Sequence, residues 1–143
     1  PGRERADAPG SRRGGRLVRV IVGVGVDVVD VARFSATVER TPGIVDRVLT
    51  PEETVAADGA PLGPASLAAR FAAKEAVSKA FGTGIGTELG WLDIEVIRLE
   101  SGSTQVRLQG AGTQLMERRF AKTIHLNLTH TAQYASAVAI LEG

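Results

Sequence analysis

Residues 64–81, PASLAARFAAKEAVSKAF, run for about five helical turns without an internal glycine or proline. Alanine dominates the stretch, and alanine is the strongest helix former. Pro64 suits a first helical position, and Gly82 follows directly as a natural stop. Leu67, Phe71 and Ala72 continue to Val77 and Phe81 at helical spacing, so these residues are expected to face the core. A single long helix of this kind, in a chain of 143 residues, suits one compact domain.

The segments around it read as strands and short helices. Leu17 to Val31 is rich in valine and reads as a strand. Gly23 and Gly25 interrupt it and point to a close backbone approach, a bulge or strong curvature. A helical pattern follows Asp30 through about Thr41, where Pro42-Gly43 breaks it. Thr50-Pro51-Glu52-Glu53 has the form of a capping box with proline at the first helical position. Residues 58–64 form a loop. Strands are predicted over 91–100 and 104–109, joined as a hairpin at Ser101-Gly102-Ser103. A helix fits 111–121, and two last strands fit 123–129 and 134–141, with a turn near Thr131. Trp91, Met116 and the remaining phenylalanines read as core. The elements mix without regular βαβ alternation, so the fold class is α+β.

Composition narrows the function classes. There is no cysteine, which excludes disulfides, thiolate-bound zinc and cysteine nucleophiles. No apolar run reaches the length of a membrane span, and no N-terminal stretch has a signal-peptide core. The expectation is a cytoplasmic protein with no membrane partner. Residues 1–16 are rich in Gly, Pro and Arg without apolar periodicity, and read as a disordered basic extension before a domain over 17–143. An upstream linker, a remnant of expression or a poorly ordered tail would each look like this. Arg3, Arg5, Arg12, Arg13 and Arg16 suggest nucleic acid only as an alternative. The rest of the chain is slightly acidic, so no nucleic-acid partner is expected for the domain.

Four groups of residues can carry chemistry. Asp27 sits in a strand otherwise built of valine and glycine, where a carboxylate needs a cation, a donor or an exposed end. Its structural reading is a strand-end aspartate, although Asp30 is better placed to cap the next helix. Glu75 and Lys79 lie four residues apart on one helix face, which also fits a plain surface ion pair. Gly82-Thr83-Gly84-Ile85-Gly86 can cradle phosphate through backbone N–H groups, but also serves as a helix stop. His130, in Asn127-Leu128-Thr129-His130-Thr131, can bind phosphate or move a proton, or act as a structural hydrogen bonder. Together, two acids, a lysine, a glycine-rich loop and a histidine suit a magnesium-bound pyrophosphate.

These residues carry a resemblance to the holo-acyl-carrier-protein synthase group of 4′-phosphopantetheinyl transferases. Gly23-Val-Gly25-Val-Asp27-Val resembles the opening motif, and Leu49-Thr50-Pro51-Glu52-Glu53 resembles the Leu-Thr-x-x-Glu segment. The run from Arg70 to Gly86, RFAAKEAVSKAFGTGIG, is similar to the family signature over its whole length. Asp93-Ile94-Glu95, Thr129-His130-Thr131 and Tyr134-Ala135 match later blocks in order. The likeness covers about Ile21 to Glu142. It departs at Ser101-Gly102-Ser103-Thr104, where the family often has Gly-Lys-Pro, and at Leu126-Asn127-Leu128-Thr129-His130, where it usually has Val-Ser-Leu-Ser-His.

The resemblance implies a compact α+β fold with an antiparallel sheet and one long central helix. It implies transfer of 4′-phosphopantetheine from coenzyme A to a serine of an apo acyl carrier protein, releasing 3′,5′-ADP. By it, Asp27 and Glu75 hold magnesium, and Glu75 and Lys79 are the catalytic residues. Lys79 contacts the coenzyme A phosphates, and Arg70, Gly82, Thr83, Gly84, His130 and Thr131 complete the nucleotide site. Arg33, Arg40 and Arg47 face an acidic helix of the carrier protein. Glu75, a water or Asp46 takes the serine proton. The assembly implied is a homotrimer with sites between subunits, serving fatty-acid or polyketide synthesis. Two rivals share the same residues. A magnesium-dependent pyrophosphate hydrolase acting on coenzyme A or nucleotides would turn over without a carrier. A non-catalytic coenzyme A binding module would bind ligand and modify nothing.

Overall fold

A computed structural model describes residues 18–143, so the basic extension expected over 1–16 lies outside the described residues, as does Leu17. The chain runs β1 (Ile21–Asp30), α1 (Val31–Arg40), α2 (Ile44–Val48), a 3-10 turn at Pro51–Thr54, α3 (Pro64–Phe81), a 3-10 turn at Trp91–Asp93, β2 (Ile94–Arg98), β3 (Thr104–Leu108), α4 (Ala111–Arg118), β4 (Thr123–His130) and β5 (Tyr134–Glu142). Strands β1, β5 and β4 form an antiparallel sheet in that order, and β2 and β3 form a separate hairpin. The hairpin reaches the sheet through Thr104, whose hydroxyl donates to the Leu126 carbonyl at 3.4 Å. The α+β class and the long central helix are as expected.

Helix α3 lies across one face of the sheet, and the two glycines of β1 explain how closely. A Cβ on Gly23 would stand 2.0 Å from the Ala80 carbonyl oxygen, and one on Gly25 would stand 1.9 Å from that of Ala76. Close approach is therefore the main reason for both glycines. A register shift between Ile21 and Gly23 adds local irregularity. Alanines complete the contact from the helix side. Ala72, Ala73, Ala76 and Ala80 are buried with Val77 and Phe81 against Ala137, Ala139 and Leu141 of β5. Small residues on both sides bring the backbones together, so alanine serves packing here as well as helix propensity.

This packing corrects part of the expected core face. Leu67 and Phe71 are only half-buried, while Ala68, Ala69, Ala72 and Ala73 beside them are fully buried and Val77 and Phe81 are buried as expected. Phe120, expected in the core, is 83% exposed. It also adopts φ +56°, a left-handed conformation uncommon for a non-glycine residue, and this ends α4 before residue 121. Trp91 is half-buried and belongs to the 3-10 turn before β2, because the Asp93 carboxylate accepts from the Gly90 N–H at 2.8 Å and holds that turn. Helix α3 stops where Gly82 takes φ +77° and its N–H bonds back to Lys79 and Ser78.

Alternation along the strands leaves the sheet's outer face unlike its inner one. Gly23, Gly25, Asp27 and Val29 of β1 point toward α3. Val22, Val24, Val26 and Val28 lie on the opposite face and are exposed. Val138 of β5, paired with Val26 and with Asn127 of β4, extends that apolar face.

Candidate active site

Asp27 lies two residues beyond Gly25, where β1 is pressed against α3, so its side chain meets the helix. Its Oδ1 is 2.9 Å from Lys79 Nζ, which also donates to the Val26 carbonyl at 3.2 Å. The anticipated surface pair between Glu75 and Lys79 does not form. Lys79 turns instead to the strand, where a better acceptor set waits. Asp30 caps α1 by accepting from the Arg33 N–H at 3.0 Å, which leaves Asp27 without a capping duty.

Asp27 and Glu75 both line a pocket of about 450 Å³ between β1, α1, α2 and α3. Its walls are largely apolar, including Phe34, Val48, Leu49 and Phe71, and Arg33 stands at its polar side. Phe71 anchors this wall by stacking on Trp91 at 4.9 Å between centroids and tilting against Phe34 at 5.5 Å. Burial raises the Glu75 carboxyl above its ordinary value, the Asp27 charge raises it further, and Lys79 opposes both. Two hard oxygen donors that repel one another in a half-buried site suit a divalent cation such as magnesium. Among the described residues no cluster of three or more His, Cys, Asp or Glu side chains gathers, so any metal here relies on this pair and on substrate oxygens.

A second pocket, of about 680 Å³, lies between α3, β2 and the loops at 55–62. Arg70, Arg98, Ser66 and His130 line it. The His130 ring nitrogen Nε2 is 3.5 Å from the Ser66 hydroxyl. Arg70 is buried, and its NH1 donates to the Val96 carbonyl at 2.7 Å. Burial lowers the Arg70 pKa, Glu53 opposes the shift, and the charge of Arg98 adds to it. Glu52, Asp58, Glu95 and Glu100 line it too, so the two guanidinium groups are the donors that would take an anion in a lining that also carries carboxylates.

The expected site residues thus divide into two groups within one chain. Asp27, Glu75, Lys79 and Arg33 gather at one place. The Gly82–Gly84 loop adjoins them by following α3, with the Thr83 hydroxyl bonded to the Gly84 carbonyl at 2.8 Å. Arg70 and His130 belong to the other pocket, which shares no lining residue with the first. Arg70 and Glu75 are five positions apart, which turns about 140° around a helix. Thr131 has a structural task, since its hydroxyl accepts from the Gln133 and Tyr134 N–H groups and shapes the turn into β5. Arg40 ends α1 and Arg47 lies on the separate α2, and both are exposed.

Sequence reasoning missed Arg98 and the buried pair of Lys74 and Glu53. Lys74 is fully buried, with Nζ 2.7 Å from Glu53 Oε1. Its signal was available, since Arg70, Lys74, Val77 and Phe81 share one helical face and a lysine there sits among core positions. Only part of the expected capping box forms. Glu53 accepts from the Thr50 N–H at 2.9 Å, while the Thr50 hydroxyl is buried without a partner.

The sequence model of the 4′-phosphopantetheinyl transferase superfamily matches residues 23–139. The chain belongs to that superfamily. This transferase is 46% identical over 124 residues to a holo-[acyl-carrier-protein] synthase of Clavibacter michiganensis, covering 87% of this chain and 98% of that protein. It is 45% identical over 123 residues to the same-named protein of Streptomyces avermitilis, covering 86% and 98%. The holo-[acyl-carrier-protein] synthase structure from Neisseria meningitidis superposes with a TM-score of 0.78 at 28% identity, covering 87% of this chain and 100% of that one. The Helicobacter pylori synthase, solved with coenzyme A, gives 0.72 at 31% identity, covering 82% and 98%. The transferase carries both halves of its candidate site inside the matched region.

Proposed function

We propose that this transferase moves 4′-phosphopantetheine from coenzyme A to a serine hydroxyl of an apo acyl carrier protein and releases 3′,5′-ADP. The observation that carries the reading is the convergence of Asp27, Glu75 and Lys79 beside an apolar pocket, in a chain whose relatives bear the synthase name. A related structure from Bacillus anthracis holds coenzyme A as 3′,5′-ADP. The serine oxygen forms a bond to the β-phosphorus, the bond from that phosphorus to the bridging oxygen breaks, and the serine proton leaves to a base. Asp27 and Glu75 would hold magnesium, which when bound neutralises pyrophosphate charge. Lys79, half-exposed, can exchange Asp27 for the oxygen that becomes charged on the leaving nucleotide. Asp46 is exposed and does not line the pocket, so Glu75 or a water it holds is the better proton acceptor. The second pocket, with Arg70, Arg98 and His130, suits the terminal phosphate of the nucleotide, and the Gly82–Gly84 loop suits the phosphates near Lys79.

The assembly that fits is a homotrimer. The two half-sites lie on different sides of α3, and the outer sheet face exposes a row of valines that a partner copy would cover. A site completed between copies joins the Lys79 cluster of one to the Arg70 pocket of the next. Arg33, Arg40 and Arg47 supply a basic face for an acidic carrier, of either fatty-acid or polyketide synthesis. Among the described residues no helix is long and apolar enough to cross a membrane, and a cysteine-free chain suits the cytoplasm.

Incubation with coenzyme A, magnesium and candidate apo-carriers, followed by mass measurement of the carrier, tests the reaction. A carrier gaining one phosphopantetheine supports it. Coenzyme A breakdown without any carrier would favour a hydrolase, and tight binding without turnover a passive module. Mixing chains bearing Lys79→Ala with chains bearing Arg70→Ala tests the shared site, because mixed trimers would recover activity that neither variant has alone.

A further inference from the structure

One continuous polar line crosses the interior and links the walls of the two pockets. Lys74 Nζ uses all three of its donors, to Glu53 Oε1 at 2.7 Å, the Val48 carbonyl at 2.6 Å and the Trp91 carbonyl at 3.1 Å. Glu53 Oε2 accepts from the Val96 N–H at 3.0 Å, and the Val96 carbonyl accepts from Arg70 NH1 at 2.7 Å. Val96 pairs with Val106 of β3 on one edge of β2. Its own N–H and carbonyl are taken by Glu53 and Arg70, two side chains standing where another strand would pair. Val48 lines the first pocket, and Val96 and Arg70 line the second.

We propose that Glu53 and Lys74 are positioning residues that set the Arg70 guanidinium, so that recognition of the nucleotide's terminal phosphate depends on this buried pair. The proposal rests on the reading that coenzyme A is the donor and that Arg70 meets its 3′-phosphate. The geometry gives the reason. Arg70 spends one N–H on Val96, and its other donors have no partner among the described residues. The orientation of that fork follows the edge of β2, and the edge follows Glu53. Burial pushes the Lys74 pKa down while Glu53 pulls it back, and three acceptors surround the amine. Removing the Glu53 charge therefore loosens Lys74 and the β2 edge together, although Glu53 touches no pocket phosphate.

The test is steady-state transfer by the full chain with coenzyme A and with 3′-dephospho-coenzyme A as donors. Wild type should prefer coenzyme A, and Arg70→Lys should lose most of that preference. Glu53→Gln should cut the preference at least about fivefold, through a raised KM for coenzyme A more than a lowered kcat. Glu53→Gln combined with Arg70→Lys should discriminate no worse than Arg70→Lys alone, because both changes act on one contact. An equal loss with both donors, or losses that multiply in the double variant, would overturn the proposal. Absence of carrier modification by wild type would instead reject the donor reading. Unchanged preference in Arg70→Lys would reject the phosphate pocket. Should Glu53→Gln not fold, Lys74→Met is read in the same way, and failure of both to fold would assign the pair to stability alone.

Discussion

Helix α3 carries two lysine–carboxylate pairs with opposite characters. Lys74 and Glu53 are buried, at 0% and 1% side-chain exposure, and every donor of the ammonium is occupied. Lys79 and Asp27 are 50% and 16% exposed, and the ammonium keeps a donor for something else. The first pair is saturated, so it holds architecture. The second is unsaturated and wet, so its partners are exchangeable, which the proposed contact with a transient phosphate requires. Two lysines five positions apart in one helix thus have different chemistry because of what the rest of the chain brings to them.

The comparison breaks most easily at Lys74. Lys74→Ala should cost about 3–5 kcal/mol, because it leaves the Glu53 carboxylate buried and unpaired. Urea unfolding followed by circular dichroism measures this, and a loss under about 1 kcal/mol would mean that the buried pair does not hold the fold. Lys79→Ala should do the reverse. Its effect on stability should stay below about 1 kcal/mol, while kcat for carrier modification falls about 10²–10³-fold. Mass-resolved transfer kinetics beside a thermal melt separate the two, and unchanged kinetics would return Lys79 to a plain surface role.

A third substitution asks whether the contact beneath both pairs is as tight as it looks. Gly25→Ala places a methyl group 1.9 Å from the Ala76 carbonyl oxygen, so strand or helix must shift. The expected cost is about 1–3 kcal/mol, with activity falling as Asp27 moves relative to Glu75. A neutral melt would show that the approach can relax.

The glycines were legible because only a few causes place glycine inside a strand. The acids and Lys79 were legible through their motif and through chemistry that two carboxylates and a cation can perform. Of the buried pair, only the place of Lys74 on the core face was legible; its partners were not, since Val48, Glu53 and Trp91 fold over it from separate segments. The i, i+4 spacing of Glu75 and Lys79 suggested a pair, yet Asp27 from β1 outcompeted the local partner. Phe120 reads as core by composition and is exposed, because a residue's address depends on where the preceding helix stops. Local pattern thus predicted elements well and predicted long-range polar partners poorly. The division of the expected nucleotide residues between two pockets follows the same rule, as it depends on rotation around α3.

Proton affinity sharpens the contrast at Glu75. Its folded pKa is raised above the ordinary 4.5 by burial and by Asp27, so the folded state binds the proton more tightly than the unfolded chain. Stability therefore falls as pH rises from that ordinary value through the raised one, and the penalty is complete above it. Glu75→Gln should melt at a higher temperature than wild type at neutral pH, with the difference vanishing below pH 4.5, where both states are protonated. Melts across that range check the sign. A Gln variant that is less stable at neutral pH would show that Glu75 gains more from Lys79 than it loses to burial and Asp27.

The smallest effect concerns the exposed arginines, where neither burial nor a fixed partner amplifies a charge. Arg33 stands at the edge of the pocket that holds Asp27 and Glu75, so an acidic carrier arriving with its serine there would meet it early. Arg40 is one helix end away, and Arg47 lies on a separate short helix. Exposed charges steer encounters more than they hold complexes, and salt screens them over about 10 Å at 0.1 M. Arg33→Glu should raise the KM for carrier protein by about threefold to tenfold at low salt and by less at moderate salt. The KM for coenzyme A should hardly change, because the proposed nucleotide contacts are Lys79 and Arg70 instead. Equal shifts for both substrates would place Arg33 in the pocket's own chemistry. No shift at either salt would leave it a solvated residue with no part in docking.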